Sequence, residues 1–291
     1  MTLDPLARAP TAPPAERRLA RVVPGVAASD GAGVKLTRMI GTRALDMLDP
    51  FLMLDVLHSD NPHDYIAGFP PHPHRGFETV TYLMAGRVEH RDTLGNAGVI
   101  ETGGVQWMTA GRGIVHSEMP VQENGLLWGI QLWVNLPAHL KMQDPGYREF
   151  PAASIPEETR ADGTRLRVVA GTTSEGTAGP VQGVVTDPLF LDVTVPAGGV
   201  LREPIPDGHA AFVLMLEGTA TIGGDSLAAG RLGVLGPNGT DLALHAGPDG
   251  ARALVVHARR LDEPVARGGP FVMTTEAEIH QAIRDYQAGR F

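Results

Sequence analysis

Two short motifs carry paired side chains that bind metals well. His72 and His74 are separated by one residue, and so are His116 and Glu118. In an extended strand, residues i and i+2 point to the same face, so each pair can present two donor groups to one point. Two such pairs on neighbouring strands can surround a single ion. We therefore predict a metal site with His72, His74, His116 and Glu118 as ligands.

The ligand types indicate which metals such a site would take. Three imidazoles and one carboxylate, without a thiolate, suit iron, manganese, cobalt, nickel, copper or zinc. The order of affinities alone favours copper or zinc. We expect Fe(II), because four protein ligands in an octahedral sphere leave positions open for substrate and dioxygen, as in non-haem iron oxygenases. Glu118 is then the first candidate for a catalytic general base that accepts a substrate proton.

Several residues near these motifs are candidates for the wall of a substrate pocket. They are Glu78, Trp107, Met108, Gln131 and Trp133. Glu78 lies four residues after His74 on the same predicted strand, and it either supports a ligating histidine beside the pocket or is an ordinary polar strand residue. For the apolar members, packing in the core is the alternative interpretation.

The remaining histidines fall into two groups. Those around the first motif either orient ligating imidazoles or lie on the surface, and they are His58, His63 and His90. Those in the second half lack a partner at i+2, so we expect them to be structural, and they are His209, His245 and His257.

Short apolar runs broken by turn residues recur along the chain, which contains 36 glycines and 24 prolines. Such runs predict β-strands joined by tight turns. The strand candidates are Glu78–Met84, Val99–Glu101, Val105–Met108, Leu127–Val134, Leu166–Ala170, Leu189–Val195, Ala211–Leu216 and Ala253–Ala258. Their regular spacing predicts an all-β protein built from sandwiches or barrels, not from βαβ units.

Three segments depart from this pattern and mark the domain boundaries. Residues 1–17 are rich in Pro and Ala and predict a disordered tail. Residues 151–165 are polar without a strand pattern and predict a linker between a first domain (18–150), which holds the metal site, and a second (166–291). Residues 275–290 predict a helix, with a capping box formed by Thr275 and Glu278 and a stop at Gly289.

The two halves share a weak internal repeat. When residues 71–86 are aligned with residues 203–218, Gly76 matches Gly208 and Gly86 matches Gly218. The same alignment replaces all four candidate ligands: His72 and His74 by Pro204 and Pro206, and His116 and Glu118 by Leu242 and Leu244. The sequence therefore predicts a duplicated fold with metal in the first copy only, unless the glycine spacing alone produces the match.

Composition excludes several classes of function. The chain has 291 residues, enough for two domains, and contains no cysteine, which excludes iron–sulfur clusters and cysteine-based zinc sites. A net charge of −9 without a basic cluster argues against direct binding of nucleic acid. No apolar stretch approaches the roughly 20 residues of a membrane helix, and the N-terminus lacks a secretory pattern. We expect a cytoplasmic protein.

The motifs resemble those of the pirin family, within the cupin superfamily. The matching stretches are HPHRGFETVTYL from His72, GGVQWMTAGRGIVHSEMP from Gly103, QLWVNLP from Gln131, and GPFVMTT with IRDYQAGRF at the C-terminus. The likeness covers nearly the whole chain from about Arg18. It implies a bicupin: two antiparallel β-barrels of the cupin or jelly-roll type facing each other, with iron in the first. It also implies terminal segments that cross over to the opposite barrel.

The resemblance implies two different functions. One is a quercetin 2,3-dioxygenase-type oxygenase, which would act on a flavonol or a similar enolic substrate together with dioxygen. The alternative is a non-enzymatic regulatory protein that binds a protein partner and uses the redox state of iron as a switch. A structural zinc without chemistry is a third reading of the same ligands. We favour the enzyme, because open metal positions suit chemistry.

Overall fold

The computed structural model describes residues 15–291, whose regular structure consists mainly of antiparallel strands with one C-terminal α-helix. The first half contains β1 (Leu19–Pro24), β2 (Val26–Asp30), β3 (Val34–Ile40), β4 (Phe51–Ser59), β5 (Phe69–His74), β6 (Phe77–Ala85), β7 (Arg87–Asp92), β8 (Ala97–Glu101), β9 (Val105–Thr109), β10 (Ile114–Pro120), β11 (Leu127–Asn135) and β12 (Gly146–Phe150). The second half contains β13 (Glu157–Thr159), β14 (Arg165–Ala170), β15 (Leu189–Val195), β16 (Val200–Pro204), β17 (His209–Ile222), β18 (Asp225–Ala228), β19 (Arg231–Leu235), β20 (Asp241–Arg259), β21 (Ala266–Gly268), β22 (Phe271–Met273) and the helix α1 (Glu276–Gln287). Each strand candidate from the sequence lies within one of these strands, which confirms the all-β prediction.

The first half is a sandwich of two sheets. A seven-stranded sheet has the order β12-β9-β6-β11-β4-β3-β2, and a four-stranded sheet has the order β5-β10-β7-β8. Apolar side chains from both sheets, among them Val34, Leu83 and Val88, meet in one buried cluster. The two cupin-type halves are as predicted, but their strands do not close into barrels: the first half is divided between two open sheets, and the second forms one open nine-stranded sheet.

Alternation along β11 decides what faces the interior of this sandwich. Ile130, Leu132 and Val134 are each at most 1% exposed and belong to a core shared with the second half. Gln131 and Trp133 point to the opposite face, because successive residues of a strand alternate between its two sides. One face of the central strand therefore stabilises the domain pair, and the other is available for a site.

The second half forms a nine-stranded sheet with the main order β1-β19-β17-β20-β15-β14-β13. The long strand β20 pairs with β16 through residues 241–245 and with β15 through residues 251–257. Leu242 and Leu244, the repeat counterparts of His116 and Glu118, are completely buried among apolar neighbours. The structure thus gives these two positions a packing role.

The two halves face each other across a large apolar core. Phe51 packs edge-on against Phe212, with ring centroids 5.0 Å apart. At the same interface the Tyr82 hydroxyl donates a hydrogen bond of 2.9 Å to Asp192. Because aromatic and aliphatic side chains from both halves share this core, we expect them to stabilise each other.

The N-terminal segment crosses to the second half. Strand β1 pairs antiparallel with β19, which confirms the crossover implied by the family resemblance. Arg17 is only 2% exposed and donates a hydrogen bond of 2.9 Å to the carbonyl of His209. Of the predicted disordered tail, residues 1–14 lie outside the described part of the chain, whereas Arg17 is fixed by buried hydrogen bonds. The second sheet therefore includes a strand that the sequence assigned to the first domain.

The C-terminal segment crosses in the opposite direction. The Val272 amide donates a hydrogen bond of 3.0 Å to the carbonyl of Arg75, beside β5. The Arg75 guanidinium lies 2.7 Å from Asp285 on α1. The capping box of Thr275 and Glu278 is present as predicted. The helix spans 12 residues and ends at Gln287, earlier than predicted, and within residues 15–291 no helix is long and apolar enough to cross a membrane.

The segment between the halves is more regular than its sequence indicates. Residues 151–165 contain β13, which pairs with β14 as an edge strand of the second sheet. Glu158 and Thr159 carry no apolar alternation, so a strand this short and polar leaves little signal in the sequence.

Candidate metal centre

Strands β5 and β10 bring the two histidine motifs together. They are antiparallel neighbours in the four-stranded sheet, with His116 directly opposite His72 and Ile114 opposite His74. Side chains of directly opposed residues point to the same face of a sheet. The register therefore places three imidazoles side by side, as the i, i+2 spacing predicts.

The three rings form a compact group. Their centroids are 4.4 Å apart for His72 and His116, 4.7 Å for His72 and His74, and 5.0 Å for His74 and His116. One ligand nitrogen from each ring lies within 4.8 Å of the others. His74 and His116 are 3% and 1% exposed, and His72 is half-buried. This group could hold one metal ion.

The hydrogen bonds of the rings leave the metal-facing nitrogens free. Nδ1 of His72 lies 2.8 Å from the carbonyl of Pro70, and Nδ1 of His74 lies 3.3 Å from that of Pro270. Nε2 of His116 is buried and has no hydrogen-bond partner among residues 15–291. A buried nitrogen without a partner costs free energy, and a metal bond would remove that cost. The donor set therefore fits a divalent metal.

The protonation states also suit ligation. Burial, together with the nearby His72, lowers the pKa of His74 from 6.5 to about 3. Burial and the neighbouring histidines hold the pKa of His116 well below its ordinary value. Both rings are therefore neutral near pH 7, which is the form in which imidazole binds metals.

Glu118 lies beside this group but outside it. Its oxygens do not belong to the set of ligand atoms within 4.8 Å of one another. They accept hydrogen bonds from the Thr81 hydroxyl (2.8 Å) and the Gln131 amide (2.7 Å). The carboxylate is 4% exposed and lines the same cavity as His72 and His74. The structure thus brings together the three predicted histidines, while ligation by Glu118 stays a prediction.

A cavity of about 690 Å³ opens next to the histidines. Gln131 and Trp133 line it, and the Trp133 ring meets the His74 ring edge-on at 5.1 Å. Pro270 and Arg267, from the C-terminal crossover segment, also form part of its wall. Because these residues lie almost 200 positions away along the chain, the sequence around the histidine motifs could not predict this wall.

Three of the predicted pocket residues lie elsewhere. Glu78 is buried at 4% exposure and accepts a hydrogen bond of 2.7 Å from Thr109. Burial raises the pKa of this carboxyl. Trp107 packs in the core between the two halves, and Met108 packs against Ala110 and Ile114. Glu78 shares a strand face with Val80 and Tyr82, which pack in the core between the two halves, so its side chain points away from the cavity.

The remaining histidines behave in several ways. His58 packs against Trp128, with ring centroids 4.9 Å apart, and His63 lies in a short surface turn. His209 and His257 contact each other in the second half, with Nδ1 atoms 2.9 Å apart. His90 is completely buried directly behind His116. Asp92, which the sequence analysis did not select, lies beside it.

Comparisons with known proteins agree with the motifs. Residues 33–134 match the family model described as Pirin, and residues 190–291 match the model for the Pirin C-terminal cupin domain. The chain is 50% identical over 275 residues to a pirin-like protein of Caulobacter vibrioides, covering 94% of this chain and 99% of that protein.

Two further relatives are named after an enzyme activity. A Pseudomonas aeruginosa protein with the provisional name quercetin 2,3-dioxygenase is 48% identical over 271 residues, covering 91% of this chain and 94% of that protein. The solved structure of quercetin 2,3-dioxygenase from Acinetobacter baumannii superimposes with a TM-score of 0.87 at 34% identity, covering 95% of this chain and 99% of that chain. With both family models matched and the duplicated cupin architecture in place, the chain belongs to the pirin family of the cupin superfamily.

Proposed function

We propose that this protein is a metal-dependent dioxygenase of the quercetin 2,3-dioxygenase type, acting on a flavonol or a similar enolic substrate. The observation that carries the proposal is a group of three imidazoles, two of them buried and neutral, beside a cavity of about 690 Å³. The names of the P. aeruginosa and A. baumannii relatives support the same reaction.

The residues that would hold the metal are His72, His74 and His116, with Glu118 as the proposed fourth ligand. Iron is the proposed native ion, and manganese, cobalt, nickel, copper or zinc are alternatives that the same donors accept. When bound, such an ion supplies positive charge that stabilises an enolate and a site where dioxygen can react.

The cavity suits a planar aromatic substrate. Phe69 and Trp133 contribute aromatic surface to its wall. Arg267 and Arg38 contribute guanidinium groups, of which Arg38 is already paired with Asp30 and Asp55 in the same wall. Aromatic walls bury flat rings at low entropic cost, and a few polar groups orient them. The wall therefore offers contacts for both the rings and the oxygen atoms of a flavonol.

Glu118 is the proposed general base. Its carboxylate lines the cavity together with His72 and His74, so it is accessible to a substrate bound there. The hydrogen bonds from Thr81 and Gln131 hold both oxygens in place, so the base needs little reorganisation before it accepts the hydroxyl proton.

An aerobic assay with quercetin tests the proposal. We expect the iron-loaded protein to remove the flavonol absorbance and to release carbon monoxide, and we expect His116→Ala to do neither. If the iron-loaded protein leaves quercetin unchanged while an enolic substrate of another type is consumed, the dioxygenase assignment stands and the flavonol does not. If no enolic substrate is consumed, the enzyme proposal is wrong.

The regulatory alternative stays a prediction, as does a cytoplasmic location. Capture of protein partners by the ferrous and ferric forms separates a switch from an enzyme, because equal capture by both forms would remove the redox switch. A structural zinc would instead appear as zinc, without iron, in metal analysis of protein grown without supplements.

A further inference from the structure

His90 and Asp92 form a buried polar chain behind His116. Nδ1 of His90 lies 3.5 Å from Nδ1 of His116, at the long end of the hydrogen-bond range. Nε2 of His90 lies 3.1 Å from the Asp92 carboxylate. The side chains of His90 and Asp92 are both fully shielded from solvent. Three polar groups in sequence therefore lead away from the candidate metal centre into the protein.

The pairing of β10 with β7 builds this chain. Asp92 is directly opposite His116, and His90 is directly opposite Glu118. His90 and Asp92 are again two residues apart, so their side chains share the face on which His116 and Glu118 lie. β10 thus has the His72 strand on one side and the His90 strand on the other.

With Asp92 ionised and His90 neutral, the hydrogen-bond chemistry gives one arrangement of protons. An ionised carboxylate only accepts, so Nε2 of His90 must carry the proton that faces Asp92. A neutral His90 then has a lone pair on Nδ1, which can accept only if Nδ1 of His116 carries a proton. That leaves Nε2 of His116 with a lone pair, and this is the buried nitrogen without a partner among the described residues.

We propose that His90 and Asp92 are positioning residues that fix the tautomer and ring orientation of His116, so that its Nε2 is held ready for the metal. The inference rests on the proposed metal site and adds the residues that hold one of its ligands. Partners of this kind orient ligating imidazoles and increase their basicity. His72 and His74 use backbone carbonyls for the same purpose, whereas His116 uses a second imidazole backed by a carboxylate.

The far end of the chain is firmly anchored. One oxygen of Asp92 accepts hydrogen bonds from the amides of Leu94 (2.9 Å) and Asn96 (3.0 Å), and the other accepts one from the Asn96 side chain (2.9 Å). Burial alone would raise the pKa of Asp92, but the hydrogen bonds from Asn96 and His90 hold it below its ordinary value. Tyr147 stacks on the His90 ring, with centroids 4.5 Å apart. The turn and the aromatic ring together leave His90 little freedom to rotate.

Nitrogen-15 NMR of the wild-type protein tests the tautomers directly, first without metal and then with Zn²⁺ as a diamagnetic probe. We expect the His116 ring to carry its proton on Nδ1 and the His90 ring to carry its proton on Nε2 in both samples. A His116 ring protonated on Nε2 in the Zn²⁺-free protein, or a His90 ring protonated on Nδ1, would overturn the assignment. This measurement needs neither a variant nor an enzyme assay.

Zn²⁺ affinity measured by chelator competition tests the consequence. His90→Phe keeps an aromatic ring against Tyr147 but removes the acceptor, and we expect it to weaken Zn²⁺ binding by about 10- to 100-fold. Asp92→Asn should weaken it in the same direction. His90→Asn places an amide oxygen near the lost nitrogen and should recover part of the affinity. Arg91→Gln, between the two on the exposed face of β7, is the matched control and should bind as wild type does.

Wild-type affinity in His90→Phe would overturn the positioning role. If thermal unfolding of the metal-free protein shows that this variant does not fold, the NMR assignment in the wild type decides alone. Failure of the quercetin assay leaves both tests intact, because neither measures turnover.

Discussion

In each histidine of the candidate centre, a contact at Nδ1 orients the ring and leaves Nε2 for a metal. Backbone carbonyls of Pro70 and Pro270 and the ring of His90 contact the three Nδ1 atoms, so the three Nε2 atoms are left for a metal. We therefore expect metal binding at this candidate site to depend on these hydrogen bonds as well as on the ligands.

Glu118 can be separated from the histidines by substitution. Because His72, His74 and His116 still supply three ligands, we expect Glu118→Gln to retain a bound metal, though less tightly if Glu118 is the fourth ligand. We expect the same substitution to lower the oxygenase rate by about 10²- to 10⁴-fold, the usual contribution of a general base. His116→Ala should retain no metal. Metal content and turnover measured on the same samples check both, and full activity in Glu118→Gln would remove its catalytic role.

His257 predicts a pH dependence of stability that does not involve the metal. Burial and the nearby His209 lower its pKa from 6.5 to about 3 in the folded protein. Between these values the unfolded chain binds a proton that the folded chain does not. Its contribution is therefore fully present above about pH 6.5 and is lost progressively towards about pH 3, with a slope of up to about 1.4 kcal/mol per pH unit.

Chemical denaturation at several pH values checks this slope. His257→Gln should reduce the dependence of the unfolding free energy on pH, while the buried His74 and His116 still contribute a slope of the same sign. His245→Gln, at an exposed position, should leave the slope unchanged. An equal slope in wild type and His257→Gln would contradict the assignment of the acid sensitivity to this pair.

At the level of elements, the C-terminal crossover segment completes the metal cavity. Lys141 is buried and donates hydrogen bonds to the carbonyls of Gly76 (2.8 Å) and Val272 (3.1 Å), which ties β22 to the turn after β5. Burial lowers the pKa of this amine to about 8. The turn at Gly76 therefore controls how closely β22 approaches the histidines.

Substitution of Gly76 tests this contact. A Cβ at Gly76 would lie 2.0 Å from the Val272 carbonyl oxygen, and the backbone there has φ +89°. Its repeat counterpart Gly208 has φ +77° with open space around it. We expect Gly208→Ala to cost about 1–2 kcal/mol from backbone strain alone, and Gly76→Ala to cost more and also to weaken metal binding. Equal losses and equal metal affinity would show that the contact with β22 is unimportant.

Local patterns explain which elements could be predicted from the sequence. His72 and His74 are two residues apart on one strand, so they share a face of the sheet whichever strand lies next to them. A capping box such as that of Thr275 and Glu278 is equally local. For Glu78 and Trp107, by contrast, the sequence does not show which side of the sheet each side chain faces. That depends on the register between strands, which the distance along the chain to a motif on another strand does not reveal.

Non-local contacts were beyond the sequence analysis for the same reason. Pro270 reaches His74 only because the chain crosses over between the halves, and Asp92 reaches His116 through a cross-strand register. The His90–Asp92 pair did carry a signal, since it repeats the i, i+2 spacing of both ligand motifs. A search for further pairs at that spacing would have found it.

At the level of the whole molecule, the two halves share one core and exchange their terminal segments. We expect a single cooperative unfolding transition, because neither half can bury its inner sheet face alone. Phe212→Ala, which removes the ring packed on Phe51, should lower the unfolding free energy by about 3–5 kcal/mol. The exposed Met142→Ala should change it by less than about 0.5 kcal/mol.

Calorimetry distinguishes halves that unfold together from halves that unfold independently. One transition that moves as a unit in Phe212→Ala agrees with the shared core. Two transitions, of which only one responds to the substitution, would show that the halves unfold independently.

The most direct test of the metal centre is the metal content of the purified full-length chain, measured by mass spectrometry alongside His116→Ala. We predict one transition-metal ion per wild-type chain, with iron as the main element, and none in the variant. A wild-type protein that takes up no transition metal, or a His116→Ala variant that retains as much as wild type, would contradict the three-histidine site.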